Sequence, residues 1–183
     1  MPRTRPLRTL LCAALTALLG LAACSLSKDP RSHAAPVATS TSTSGSELQG
    51  AATAEQLDTF LHHQARDWAW AGGQFDAPDD DTTLAAGTPL TFVWHADPAD
   101  FAAGSAGAAV MTHLLLFSTP SNGDLLQVFT TLSEYTPDAT AWQKLVDAGE
   151  PITLSLTTGS FVGSELPEDG GPFIGQSLTF TIE

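Results

Sequence analysis

The chain has 183 residues, 43 % of them apolar and 15 % charged, which suits one packed domain with a short appendage and falls short of two full-sized domains. Twenty acids against seven bases give a formal charge of −13. That argues against nucleic acid and anionic headgroups as direct partners, because too few cations are present to replace phosphate counterions.

Residues 1–8 carry Arg3, Arg5 and Arg8 and no acid, and residues 9–23 are an uninterrupted run of apolar and small side chains. At about fifteen residues the run is shorter than the ~20 that a membrane span needs. A basic segment followed by a short apolar one is the pattern of a secretory signal peptide. It ends in Leu21, Ala22, Ala23 and Cys24. These four residues resemble the lipobox of bacterial lipoproteins, in which small residues fit the signal peptidase and the cysteine thiol takes a diacylglyceryl group. The resemblance implies cleavage before Cys24, three acyl chains on it, and a lipid anchor in the cell envelope. Ser25 after the cysteine implies the outer membrane if the cell is Gram-negative. Cys12 would be lost with residues 1–23, so the mature chain would have no second thiol and no internal disulfide.

Residues 24–50 are rich in Ser, Thr, Ala and Pro and read as a flexible tether. Residues 51–183 carry the periodic apolar signal of a single domain. Thr53 and Gln56 have capping-box spacing, and Leu57, Phe60 and Leu61 follow at helical intervals. Asp67 to Trp70 alternates as an edge strand would. Leu90, Phe92 and Trp94 alternate with Thr91, Val93 and His95 as a half-buried strand. Residues 110–119 read as a central strand, apolar on both faces from Leu114 to Phe117. Asn122-Gly123 is a hairpin signal, and residues 125–131 read as the return strand. Thr136 as N-cap, Pro137 as first helical residue and Gly149 as the stop predict a helix over 137–147. Ile152, Leu154 and Leu156 alternate as a strand, residues 159–175 read as a Gly- and acid-rich loop, and residues 177–183 as a last strand.

Short strands, turns and one crossover helix predict a mainly β fold, an antiparallel two-sheet sandwich with one or two short helices. The Trp94 that ends an early strand, the Tyr135-Thr136-Pro137 segment and the Phe-rich last strand resemble fibronectin-type-III and other immunoglobulin-like domains over residues 88–183.

The chain lacks a Gly-x-Ser-x-Gly elbow, a His-Glu-x-x-His helix, a Cys-x-x-Cys pair, a P-loop and a dinucleotide fingerprint, so the expectation is a protein that is not an enzyme. His95 and His113 lie on separate predicted strands that could meet as a two-His zinc site, although ordinary hydrogen-bonding histidines are the simpler reading. No cofactor is expected beyond calcium. Asp76, Asp79, Asp80 and Asp81 cluster as hard-cation ligands do, although acids also favour plain turns. Trp68 and Trp70, two residues apart, could share one face and stack on sugars; Trp94 and Trp142 fit core positions. Eighteen acids and two bases, Arg66 and Lys144, over residues 50–183 make the domain itself strongly anionic. The leading expectation is a lipid-anchored cell-envelope protein with a non-catalytic binding or scaffolding sandwich. Its partners would be the membrane through the anchor and an envelope protein or polysaccharide, with no nucleic acid. The alternative is a carbohydrate- or calcium-binding module at the cell surface.

Overall fold

Both helices begin where side chains satisfy otherwise free backbone N–H groups. In α1 (Ala54–His62) the Thr53 hydroxyl accepts from Gln56 N and Gln56 Oε1 accepts from Thr53 N, the capping box expected from the sequence. In α2 (Ala139–Asp147) the cap is Asp138, whose Oδ1 accepts from Thr140 N and Ala141 N at 2.8 Å each. The sequence expectation of Thr136 as cap is therefore corrected by two residues. A carboxylate takes two N–H groups where a hydroxyl takes one, and the Thr136 hydroxyl is paired with that of Thr91 at 2.7 Å. Gly149, at φ 60°, ends α2 as expected.

The computed structural model describes residues 45–67, 71–97 and 109–183, all within one compact unit. Its strands are β1 (Ser46–Gln49), β2 (Arg66–Asp67), β3 (Gln74–Ala77), β4 (Thr82–Leu84), β5 (Phe92–His95), β6 (Val110–Ser118), β7 (Leu126–Thr130), β8 (Glu134–Tyr135), β9 (Ile152–Phe161) and β10 (Phe173–Ile182). The larger sheet runs β1-β7-β6-β9-β10, and β2 and β4 both pair with β10 beyond it. The smaller sheet is β3-β5-β8. Among the described residues the fold is mainly β, with two sheets and two α-helices, in keeping with a sandwich.

Four features differ from the sequence expectations. The sandwich is not wholly antiparallel: β1 pairs parallel with β7, and β2 and β4 pair parallel with β10. Long connections separate each of these partners, so no hairpin forces antiparallel geometry. The last five residues before Ala51 are not all tether, because Ser46–Gln49 is a paired strand. The reading of residues 159–175 as loop is also too long. β9 continues through Gly159 to Phe161, and β10 starts at Phe173. Gly159 sits in the strand because a Cβ there would lie 2.8 Å from the Phe60 ring. The β6–β7 connection turns at Pro120-Ser121, with Thr119 and Asn122 exchanging both backbone hydrogen bonds, rather than at Asn122-Gly123.

β6 divides two cores. On its inner face Leu115 and Phe117 pack with Val128, Leu154, Leu156 and Phe180 against Phe92, Trp94 and Tyr135 of the small sheet and Trp142 of α2. On its outer face Leu114 packs with Phe129, Phe161, Leu166 and the α1 residues Leu57 and Phe60. Three phenylalanines, Phe60, Phe129 and Phe161, meet there with centroids 5.3–6.5 Å apart. The core positions expected for Trp94 and Trp142 hold, and Trp142 Nε1 donates to Ala86 O at 2.7 Å. Trp94 is 1 % exposed, and among the described residues its indole N–H has no hydrogen-bond partner. Tyr135 reaches across the layers, and its hydroxyl donates to Glu47 Oε2 of β1 at 2.9 Å. Burial, followed by the Glu47 carboxylate, pushes the Tyr135 phenol well above its ordinary range.

The orphan donor of Trp94 generates a paired prediction. Trp94→Ala should lose roughly 3–5 kcal/mol of unfolding free energy, because a large ring leaves the centre of the sandwich. Trp94→Phe should lose far less, because it keeps a ring and removes an unsatisfied N–H that itself costs about 1–3 kcal/mol. Urea titrations of both variants check this; equal losses would show that the indole N–H is not a burden.

Candidate functional site

The outer face of the large sheet is longer than the helix that covers it. Nine residues of β6 span about 30 Å, whereas nine residues of α1 span about 14 Å. α1 covers the Leu114 end, and beyond it a groove of about 400 Å³ remains open. Its floor is set by register. Gln127, Leu116, Ser155 and Ser177 lie side by side across β7, β6, β9 and β10, and Leu114, Thr157 and Ile174 form the next row. Leu61 of α1 and Ala65 wall one end, and Thr119 and Gly123 of the β6–β7 loop wall the other.

The chemistry of this groove is aliphatic and hydroxylic. Among the described residues no charged or aromatic side chain lines it. Ser155 Oγ and Ser177 Oγ are hydrogen-bonded at 3.1 Å, and the Ser118 hydroxyl donates to Thr153 O at 3.3 Å. Gln127 Oε1 accepts from the Ser46 hydroxyl of β1, which turns the Gln127 amide so that its N–H₂ end is the free one. The groove's described lining offers apolar contact and uncharged hydrogen bonds, with no acid, base or nucleophile pair among the described residues. The sequence signal for it was the run Leu114 to Phe117, apolar on both faces, which requires cover on the outer face that nine helical residues supply only in part.

A second hollow, more open and about 680 Å³ in volume, lies between α1 and residues 162–166, with Glu55, His63 and Glu165 on its walls. There Glu55 accepts from the Ser164 hydroxyl at 3.0 Å, and His63 Nδ1 bonds Thr59 O.

The residues singled out in the sequence fall in several places. Cys24, Trp68 and Trp70 lie outside the described residues. Asp76 ends up in β3, where its carboxylate contacts His95 Nδ1 at 2.9–3.0 Å. Asp80 Oδ1 accepts from Thr179 N of β10 at 2.7 Å, and Asp81 N donates to Thr179 O at 2.8 Å. Asp79 is exposed, and Asp81 is exposed with φ 57°. The acidic turn thus docks along β10 through the hydrogen bonds of Asp80 and Asp81. Among the described residues no three His, Cys, Asp or Glu side chains are placed to hold a metal ion. His95 and His113 do not meet as the two-His reading required. His95 is exposed, whereas His113 is buried edge-on against Trp94, at 5.6 Å between centroids.

His113 sits in a short polar chain inside the sandwich. Thr158 Oγ1 donates to Gly72 O at 2.7 Å, so the remaining bond, His113 Nδ1 to Thr158 Oγ1 at 3.0 Å, has the imidazole donating. Gly72 is itself pressed against β10, where a Cβ would lie 2.1 Å from Ile174 O. Burial lowers the His113 pKa from 6.5 to about 4.

No protein-family model matches the chain, and no curated protein or solved structure is detectably similar to it.

Two predictions follow from these positions. His113 has a depressed folded-state pKa, so between pH 6.5 and about 4 the unfolded chain binds a proton that the folded chain refuses. Its contribution is whole above pH 6.5 and falls by up to about 3 kcal/mol as the pH drops to 4. The difference in unfolding free energy between the parent and His113→Gln, measured from pH 7 to 4, should shrink accordingly; a constant difference would show that His113 titrates normally. For the acidic turn, Asp80→Ala should cost about 1 kcal/mol through the lost bond to Thr179 N, and Asp80→Asn, which keeps an acceptor oxygen, should cost little. A saturable rise in melting temperature with Ca²⁺ at fixed ionic strength, lost in Asp80→Asn, would instead make the turn a cation site.

Proposed function

We propose that this is a lipid-anchored cell-envelope protein whose immunoglobulin-like sandwich is a non-catalytic binding module, with the groove on the outer sheet face as its binding surface. The observation that carries the binding role is the uncharged lining of that groove in a domain with eighteen acids. Solvated surface of such a domain is expected to be charged; a concave, aliphatic stretch floored by regular strands is expected to be covered in use. The anchor rests on Arg3, Arg5 and Arg8, the apolar run and Cys24 at its end. Support for the immunoglobulin-like type comes from Trp94 between the two layers and from the Phe-rich β10. Tyr135 supports it less, because its hydroxyl reaches Glu47, 88 residues away, and not nearby backbone.

The anchor and the binding surface are tested separately. Cys24→Ala should move the full chain from the detergent phase to the aqueous phase on phase partitioning, and continued membrane partitioning would end the lipoprotein reading. A photo-crosslinking residue at Gln127, in cells expressing the full chain, should give adducts of defined mass. The same residue at the exposed Glu134 of the small sheet should give none. Equal capture at both positions would remove the groove as the binding surface.

A further inference from the structure

On the reading that the groove is the binding surface, we propose that its occupant is a separate, uncharged lipid-like molecule: an aliphatic chain lying along β6 with an acceptor oxygen at Gln127. Four observations converge on this class. Among the described residues the lining offers neither a cation for a carboxylate or phosphate head nor a carboxylate for an ammonium head, and the domain's net negative charge repels anions further. Among the described residues the lining is aliphatic and hydroxylic, without a ring on which a sugar or a nucleobase could stack.

The floor is the face of a sheet, not its edge. β6 is paired along its length with β9 and over five residues with β7, so its main chain has little to offer an extended peptide. The volume, about 400 Å³, holds roughly one turn of a helix 10 Å across, too little for a docked helix and within the ~300–1,000 Å³ of small-molecule sites. From Leu114 to Ser118 the floor is about 13 Å long, a slot for a single chain.

The polar groups set the head. Gln127 presents N–H donors because its oxygen is held by Ser46, and the Ser155–Ser177 pair, sharing one hydrogen between two hydroxyls, leaves a second hydroxyl hydrogen to give. Donors without charge match an alcohol, ester or ether oxygen.

The test uses the full chain as Cys24→Ala, prepared without detergent, so that no acyl group of its own competes. Methyl NMR of leucine and isoleucine is followed while 1-decanol, decanoate or decyltrimethylammonium is added. Saturable shifts at Leu61, Leu116 and Ile174 with 1-decanol, and binding at least about tenfold weaker for both charged chains, are expected. Ser177→Trp, at an exposed floor position, should abolish those shifts without changing the melting temperature, and Leu116→Gln should weaken them. Equal affinity for the charged chains would overturn the uncharged class while leaving the groove a binding surface. Shifts that persist in Ser177→Trp would remove the groove itself. Absence of any aliphatic binding, with polypeptide adducts at Gln127 in cells, would overturn the lipid class and keep the binding role.

Discussion

β6 is packed on both faces over Leu114, Leu115 and Phe117, and the rest of the domain is arranged around that fact. A strand apolar on both sides cannot lie at a solvent boundary, so it must be central, with a layer above and a layer below. The small sheet and α2 supply one layer in full. The other layer is α1, anchored by its capping box and by the Gln56 bond to Gly163 O, and it is too short for the strand it covers. The groove is what that mismatch leaves. Its floor alternates Leu116 with Gln127, Ser155 and Ser177, which keeps the uncovered stretch wettable without placing a charge on it.

Several acids of this domain serve as hydrogen-bond acceptors. Asp138 caps α2, Asp80 takes the Thr179 N–H, Asp76 holds His95, Glu47 receives the Tyr135 hydroxyl and Glu150 the Ser121 hydroxyl. Each bond joins pieces distant in the chain or starts an element. With only Arg66 and Lys144 as bases over residues 50–183, most of these carboxylates have backbone N–H or hydroxyl partners in place of cations. Arg66 itself lies over the Phe173 ring at 4.7 Å and donates to Glu168 O, so it serves the β2–β10 junction.

What the sequence showed and what it hid divide along local against distant causes. The α1 capping box, the Gly149 stop, the two-faced β6 and the burial of Trp94 and Trp142 follow from spacing within a few residues, and they appear as read. Gly159 misleads because its reason, the Phe60 ring, is a hundred residues away. β1, β2 and β4 are two to four residues long and owe their extended form to β7 and β10, so their own side chains carry little strand signal. Nothing near Asp80 in the chain reveals that it will meet Thr179. The groove was hidden for the same reason: its rows exist only once four strands are in register.

The strands that end the two sheets have a consequence for how two copies of this domain meet. Among the described residues, the outermost strands are β1, β2 and β4 on the large sheet and β3 and β8 on the small one, none longer than four residues. Glu47, Asp67, Asp76 and Glu134 lie on four of them, and Asp81 immediately precedes the fifth. A neighbouring copy that approaches in strand-pairing geometry therefore meets a short ladder and a carboxylate at every turn. Edge-to-edge pairing along these margins would therefore gain few main-chain hydrogen bonds and bring carboxylates together.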